Sequence, residues 1–252
     1  MSRNRTPPFI RQSSPGEQQR LFEGNGGSVR RARAAIAAMI LLAVVTGCAT
    51  VLDDVDLPTG SPTDAAAILA QLSVKGRAPK TGYERERFGQ RWADIDRNGC
   101  DQRNDVLSRD LIDETFEPGT QECVVLTGTL HDPYTGRTIA FQRGQTTSDD
   151  VQIDHVVALS NAWQSGAQQL DPDTRELLGN DPLNLLATDG PTNQSKGDGD
   201  TATWLPPNRD ARCGYVARQV AVKAKYRLWV TSAERDAIAG VLSRCPGEPL
   251  PS

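Results

Sequence analysis

The stretch that decides the fold is "SDDVQIDHVVALSNAW", residues 148–163. Apolar residues run from Val151 to Leu159, broken only by Gln152 and the pair Asp154-His155. The whole chain has two histidines among 252 residues. Neighbouring residues on a strand point to opposite faces, so Asp154 and His155 can serve one task only if the strand ends there. One then meets a metal while the other addresses the substrate. A histidine with an ordinary pKa of about 6.5 is mostly neutral at pH 7 and can act as a general base.

Downstream, Asn184 lies in "DPLNLL", Asn193 follows nine residues later in "PTNQSKGD", and Lys196 stands three residues beyond. A helix beginning near Pro191 would carry Asn193 and Lys196 on one face of its first turn. A phosphate is favoured there, because the free N–H groups carry a positive partial charge. Each residue alone has a plainer reading. Asp-His makes a structural pair, Asn184 a turn, Asn193 a helix cap and Lys196 a solvated lysine. Their common spacing is what points to a split site.

The run "IDHVVALS…DPLNLLATDGPTNQSKGD" resembles the ββα-metal core of HNH endonucleases, also called His-Me finger proteins. It is closest to the C-terminal nuclease domain of GmrSD-type restriction endonucleases and the secreted actinobacterial proteins that share it. The core resemblance covers residues 151–200. A wider one, with "FGQRWADIDRNGCDQRNDVL" and "GTLHDPYTG", extends over 80–246. The resemblance implies that Asp154 binds one divalent metal and His155 deprotonates the attacking water. It implies that Asn184 pins the loop that aims His155, and that Asn193 gives a second metal contact through its amide oxygen. Many relatives have histidine in the place of Asn193, and this chain lacks the zinc-binding cysteine pairs of many HNH domains. With oxygen ligands only, Mg²⁺ or Mn²⁺ suits such a site better than Zn²⁺. Lys196 is then the expected contact to the substrate phosphate.

A second candidate is "DIDRNGCDQRND", residues 94–105, which follows the D-x-D-x-N-G pattern of a calcium loop. Asp94, Asp96 and Asn98 offer oxygens, Gly99 the sharp turn, and Asp105 stands at the twelfth position. The other reading is a turn fixed by a disulfide at Cys100, since the flanking helices are weak. His131, before the Asp-Pro turn of a hairpin, reads as structural, with a second substrate contact as the alternative. Arg218, Lys223, Lys225 and Arg227 read either as a polyanion-binding face or as ordinary solvated charges.

Residues 34–46 form an apolar run preceded by Arg30, Arg31 and Arg33, too short for a bilayer span but suited to an export signal. Val45-Thr46-Gly47-Cys48 looks like a bacterial lipobox, which implies cleavage before Cys48 and a lipid anchor on its thiol. An ordinary secretory signal and a membrane segment stay open as alternatives. Without residues 1–47 the chain holds 21 basic and 30 acidic side chains, a net of −9. Any nucleic-acid binding must then come from a local basic site and be sensitive to salt. Setting Cys48 aside leaves Cys100, Cys123, Cys213 and Cys245 with no C-x-x-C pair, which fits two disulfides in an exported protein. Three pairings are open. Cys100–Cys123 with Cys213–Cys245 is favoured, because each closes a modest loop worth about 3–4 kcal/mol.

The expected organisation is an export signal with a long basic leading region (1–47), an anchor and tether (48–62), a nuclease-type domain (63–247, core 122–200) and a tail (248–252). Helices are expected at 63–74, about 104–113, 158–168, 172–179 and 214–230, with a last one opened by the Thr231 to Glu234 capping box. Residues 122–142 read as a hairpin and 151–157 as a third strand. The class is α+β, with an HNH-type core and a small antiparallel sheet surrounded by helices.

The expected function is an exported, metal-dependent endonuclease hydrolysing phosphodiester bonds in DNA, with RNA as a further substrate class and low sequence specificity. Its membrane contact would be through a lipid anchor only. The competing class is a non-enzymatic, calcium-stabilised envelope lipoprotein that binds a partner. The G-x-S-x-G, H-E-x-x-H and Walker A patterns are absent, which disfavours esterase, zinc protease and NTPase readings.

Overall fold

Strand β4, Val151–His155, pairs antiparallel with β5, Leu185–Asp189, in a register running from Val151 opposite Asp189 to His155 opposite Leu185. The computed structural model that shows this describes residues 64–251. The sequence reading gives a third strand at 151–157 and assigns no strand at 185–189. Strand β5 is almost wholly buried, so it lacks the polar-apolar alternation that marks a half-buried strand.

The hairpin is present as β2, Val125–His131, and β3, Thr138–Gln142. A further strand, β1, Leu111–Phe116, completes a separate three-stranded antiparallel sheet in the order β1-β2-β3. Leu111 to Asp113 were expected to end a helix. That helix, α2, Gln102–Asp110, instead stops where Leu111 packs into the sheet's core opposite Leu130.

Between β4 and β5 the chain forms α3, Leu159–Gln164, a 3₁₀ turn at Ala167–Gln169, and α4, Pro172–Asn180. Asp171 caps α4 by accepting from Thr174 N–H, and Pro172 pre-sets its first turn. Helix α5, Gly190–Lys196, follows β5 without a linker. Asp189 accepts from the N–H and hydroxyl of Thr192 to start it. Only glycine fits at 190, since a Cβ there would lie 2.0 Å from the carbonyl oxygen of Asp149. Two antiparallel strands thus lead straight into a helix that packs on both.

Helices α6, Arg212–Lys225, and α7, Ser232–Leu242, end the domain, the latter opened by the expected capping box of Thr231 and Glu234. Helix α1, Ala65–Leu69, is shorter than the periodicity suggested. The chain leaves it so that residues 73–75 can exchange backbone hydrogen bonds with Val230, at 3.0 Å each. The disulfides are Cys100–Cys123 and Cys213–Cys245, as favoured from the sequence.

Three hydrophobic clusters adjoin at the opening stretch. Val151 and Ile153 join Leu107, Phe141 and Leu185 under the sheets. Val156 joins Val216, Val220 and Ile238. Val157 joins Leu178, Val222 and Leu228. Asp154 and His155 sit where these clusters adjoin, and that sets their burial. The signal, Cys48 and the 48–62 tether lie outside the described residues. Among the described residues, no helix is long and apolar enough to cross a membrane.

Candidate active site

Asp154 is buried, and each of its carboxylate oxygens has a donor. The hydroxyl of Tyr134 donates to Oδ2 at 2.5 Å, and the Lys196 ammonium donates to Oδ1 at 2.9 Å. Lys196 also donates to the carbonyl of His155 at 2.7 Å, and its side chain has no exposed surface. This corrects the expected role of Lys196. In this geometry it is the counter-charge of Asp154 and not a group held out to a phosphate. Tyr134 comes from the hairpin turn, where Asp132 accepts from the backbone of Tyr134 and Thr135 and from Thr188 and Asp189 in β5. Burial, then the Asp154 charge, raises the Tyr134 pKa well above its ordinary value, so it stays a donor.

His155 is held by its Nε2, which lies 2.8 Å from the carbonyl oxygen of Gly179. A carbonyl only accepts, so Nε2 carries the proton and Nδ1 the lone pair. Burial pushes the ring's pKa down from 6.5 to about 4, with Arg85 and Lys196 lowering it further against the Gly179 bond and Asp154. The ring is therefore neutral at pH 7. Trp92 stacks against it, with ring centroids 6.1 Å apart and planes 11° from parallel. The Trp92 backbone has a φ of 60°, a left-handed conformation unusual for a bulky residue. Asn180 secures that segment by accepting from Ala93 N–H and donating to the Gln90 carbonyl, both at 3.0 Å.

Asn184 is fully buried and ties the two ends of the insertion together. Its Oδ1 accepts from Val157 N–H at 2.8 Å, and its Nδ2 donates to the carbonyls of Val157 and Leu178. These contacts fix Val157, two residues after His155, and Leu178, next to the Gly179 acceptor. Asn193, on α5, donates from Nδ2 to Gln152 Oε1 at 3.0 Å, which leaves its own Oδ1 as an acceptor.

Asp154, His155 and Asn193 line one open cavity of about 340 Å³, together with Tyr83, Arg85 and Asp198. Arg85 is half-buried and forms no ion pair among the described residues. Burial and the nearby Arg91 lower its pKa. The sequence reading missed Arg85, Trp92 and Tyr134. They lie outside the 151–200 core motif, and the usable signal was the wider resemblance, whose quoted segments contain Trp92 and Tyr134.

The residues can accommodate a hard divalent ion. Each Asp154 oxygen keeps a lone pair beyond its present donor, and Asn193 Oδ1 offers another oxygen in the same cavity. No third His, Cys, Asp or Glu joins them in a compact cluster among the described residues. Two protein oxygens with water filling the rest is a usual arrangement for Mg²⁺.

The remaining sequence candidates lie elsewhere. His131 Nδ1 is 3.2 Å from the Thr138 hydroxyl across the hairpin. The basic residues of α6, open to either a polyanion-binding or a solvated reading, are divided among several partners. Lys223 is buried against Glu234 at 2.7 Å, Lys225 pairs with Asp181 at 2.6 Å, and Arg218 donates to the Leu183 carbonyl. In the 94–105 loop, Asp94, Asp96 and Asp105 converge on Asn98.

A buried, neutral, oriented histidine beside a carboxylate, at the mouth of a strand-strand-helix unit, is the arrangement of a nuclease-type domain. Comparison with known proteins gives the family. The model described as "GmrSD restriction endonucleases, C-terminal domain" matches residues 101–241, and the chain belongs to that family. Membership implies a nucleic-acid substrate and use of a divalent metal. The chain is also 35% identical, over 210 residues, to an "Uncharacterized secreted protein" of Arthroderma benhamiae. That similarity covers 81% of this chain and 98% of the relative. No solved structure matches the chain. The family match begins at residue 101, so Tyr83, Arg85 and Trp92 are supplied by chain that precedes it.

Proposed function

We propose that the protein is an exported HNH-type endonuclease that hydrolyses phosphodiester bonds, in DNA by preference, with one divalent ion. The observation that carries this reading is His155. Its Nε2 proton is committed to Gly179 O, its pKa lies at about 4, and it lines the cavity that Asp154 and Asn193 share. Its Nδ1 lone pair takes the proton of the attacking water. Asn184 keeps the Gly179 acceptor and the strand end in register, so that the ring cannot turn. Asp154 and Asn193 would hold Mg²⁺ or Mn²⁺, which when bound neutralises charge developing on the phosphate and leaving oxygen. Arg85 meets the phosphate in place of the buried Lys196. A side chain with no counter-ion among the described residues, in an otherwise acidic molecule, is the local basic group that such binding needs.

The relative described as secreted and the two disulfides support export. Anchoring through a lipid on Cys48 belongs to the same reading, and mass spectrometry of the mature N-terminus tests it. The enzymatic claim is tested by plasmid cleavage with Mg²⁺ or Mn²⁺, with and without chelator, comparing wild type with His155→Ala. Removal of the base should slow cleavage by about two or more orders of magnitude. Equal rates, or no cleavage by either protein, overturn the assignment.

A further inference from the structure

The loop 94–105 lies apart from the cavity and carries chemistry that the proposed hydrolysis does not use. Asp94 accepts from the N–H groups of Asn98 and Gly99, at 3.1 and 3.0 Å. Asn98 Nδ2 sits 3.2 Å from Asp96 Oδ2 and 3.1 Å from Asp105 Oδ1. Gly99 has a φ of 94°, which turns the chain sharply at the sixth position. None of the three carboxylates is in an ion pair among the described residues.

Gln102 supplies an independent observation. It stands at the ninth position, its side chain is fully buried, and its Oε1 has no hydrogen-bond partner. The amide lies against the cluster, since Nε2 is 3.0 Å from Asp105 Oδ2. A buried carbonyl oxygen without a donor costs about 1–3 kcal/mol. Turning the amide over would put Oε1 where Nε2 now lies, beside Asp105, and two oxygens that close call for a cation.

We propose that residues 94–105 form a calcium site, with oxygens from Asp94, Asp96, Asn98, Gln102 and Asp105 and the backbone carbonyl of Cys100. The chemistry is all-oxygen, with three carboxylates, which selects a hard ion of flexible coordination. Affinity falls in the range of extracellular modules, with Kd of about 10⁻⁴–10⁻³ M. The ion is structural. Trp92, two residues before Asp94, stacks on His155, and Asp101 within the loop caps α2. Arg109 on α2 in turn donates to the carbonyls of Pro182 and Leu185, beside Asn184. Ordering the loop therefore steadies both walls of the site.

The test is calorimetric titration of metal-free protein with Ca²⁺, with thermal unfolding at about 5 mM Ca²⁺ as a second readout. Wild type and Asn193→Ala should each bind one ion, with Tm rising on the order of 5 °C. Asp94→Asn and Asp96→Asn, both exposed positions, should each weaken binding at least about tenfold and keep the metal-free Tm. Absence of binding in wild type overturns the site. So does full binding in both loop variants, or its loss in Asn193→Ala, which would place the ion in the cavity instead.

Discussion

The Asp154 cluster and the 94–105 loop both gather acidic side chains, and they neutralise them in opposite ways. At Asp154 the protein supplies its own cation, Lys196, and a second donor, Tyr134, and buries all three. In the loop, Asp96 and Asp105 share the Asn98 side-chain amide, Asp94 accepts from backbone N–H groups, and none of the three has a protein cation among the described residues, while a buried Gln102 oxygen goes without a donor. The first cluster has its charge paired and a donor on each carboxylate oxygen before any metal binds, so its geometry is set by folding. The second, on the calcium site proposed above, is completed from outside. Metal removal should therefore loosen the loop and leave the Asp154 cluster standing.

Lys196 gives the sharpest way to break this contrast. Truncating one partner of a buried ion pair strands the other, so Lys196→Met should cost about 3–5 kcal/mol in urea unfolding. A change within about 0.5 kcal/mol would return Lys196 to the surface role suggested by its sequence. Next comes pH. His155 binds a proton in the unfolded chain at its ordinary pKa of 6.5, but in the folded domain only near 4. Between those values the unfolded state holds more protons, so stability falls as the pH is lowered from 6.5 to 4, by about 3 kcal/mol in all, and levels off below 4. The loss should be absent in a His155→Gln variant examined the same way.

Arg85→Ala should leave stability within about 0.5 kcal/mol. It should also lower DNA affinity and reduce the slope of log affinity against log salt by about one, measured by titration at several salt concentrations. The smallest effect belongs to Asp94→Asn. Without calcium its urea midpoint should match wild type, because the side chain is exposed and carries only local turn hydrogen bonds.

Much of the site could be read from the sequence, and the reason is local. Asp154, His155, Asn184 and Asn193 lie on one short strand-insertion-helix unit, so their spacing encodes their geometry. The disulfides followed from loop length, and the α7 capping box from four adjacent residues. Contacts across long separations could not be read. Tyr134 reaches Asp154 through the Asp132 hub, and Trp92 reaches His155 through Asn180, by hydrogen bonds that no periodicity reveals. Strand β5 hid because both of its faces are buried. Lys196 was misplaced for a related reason. A lysine within a polar, glycine-rich run reads as solvated, and only the packing of α5 on β4 turns it inward.

The central claim is that His155 is a neutral base with its Nε2 proton fixed and its Nδ1 lone pair free. The direct measurement is a ¹⁵N-resolved NMR titration of its imidazole in the metal-free protein, with His131→Gln used to assign the two ring systems. The expected result is an Nε2–H tautomer whose titration midpoint lies near 4, with no transition around 6.5. A midpoint near 6.5, or an Nδ1–H tautomer at pH 7, would contradict it.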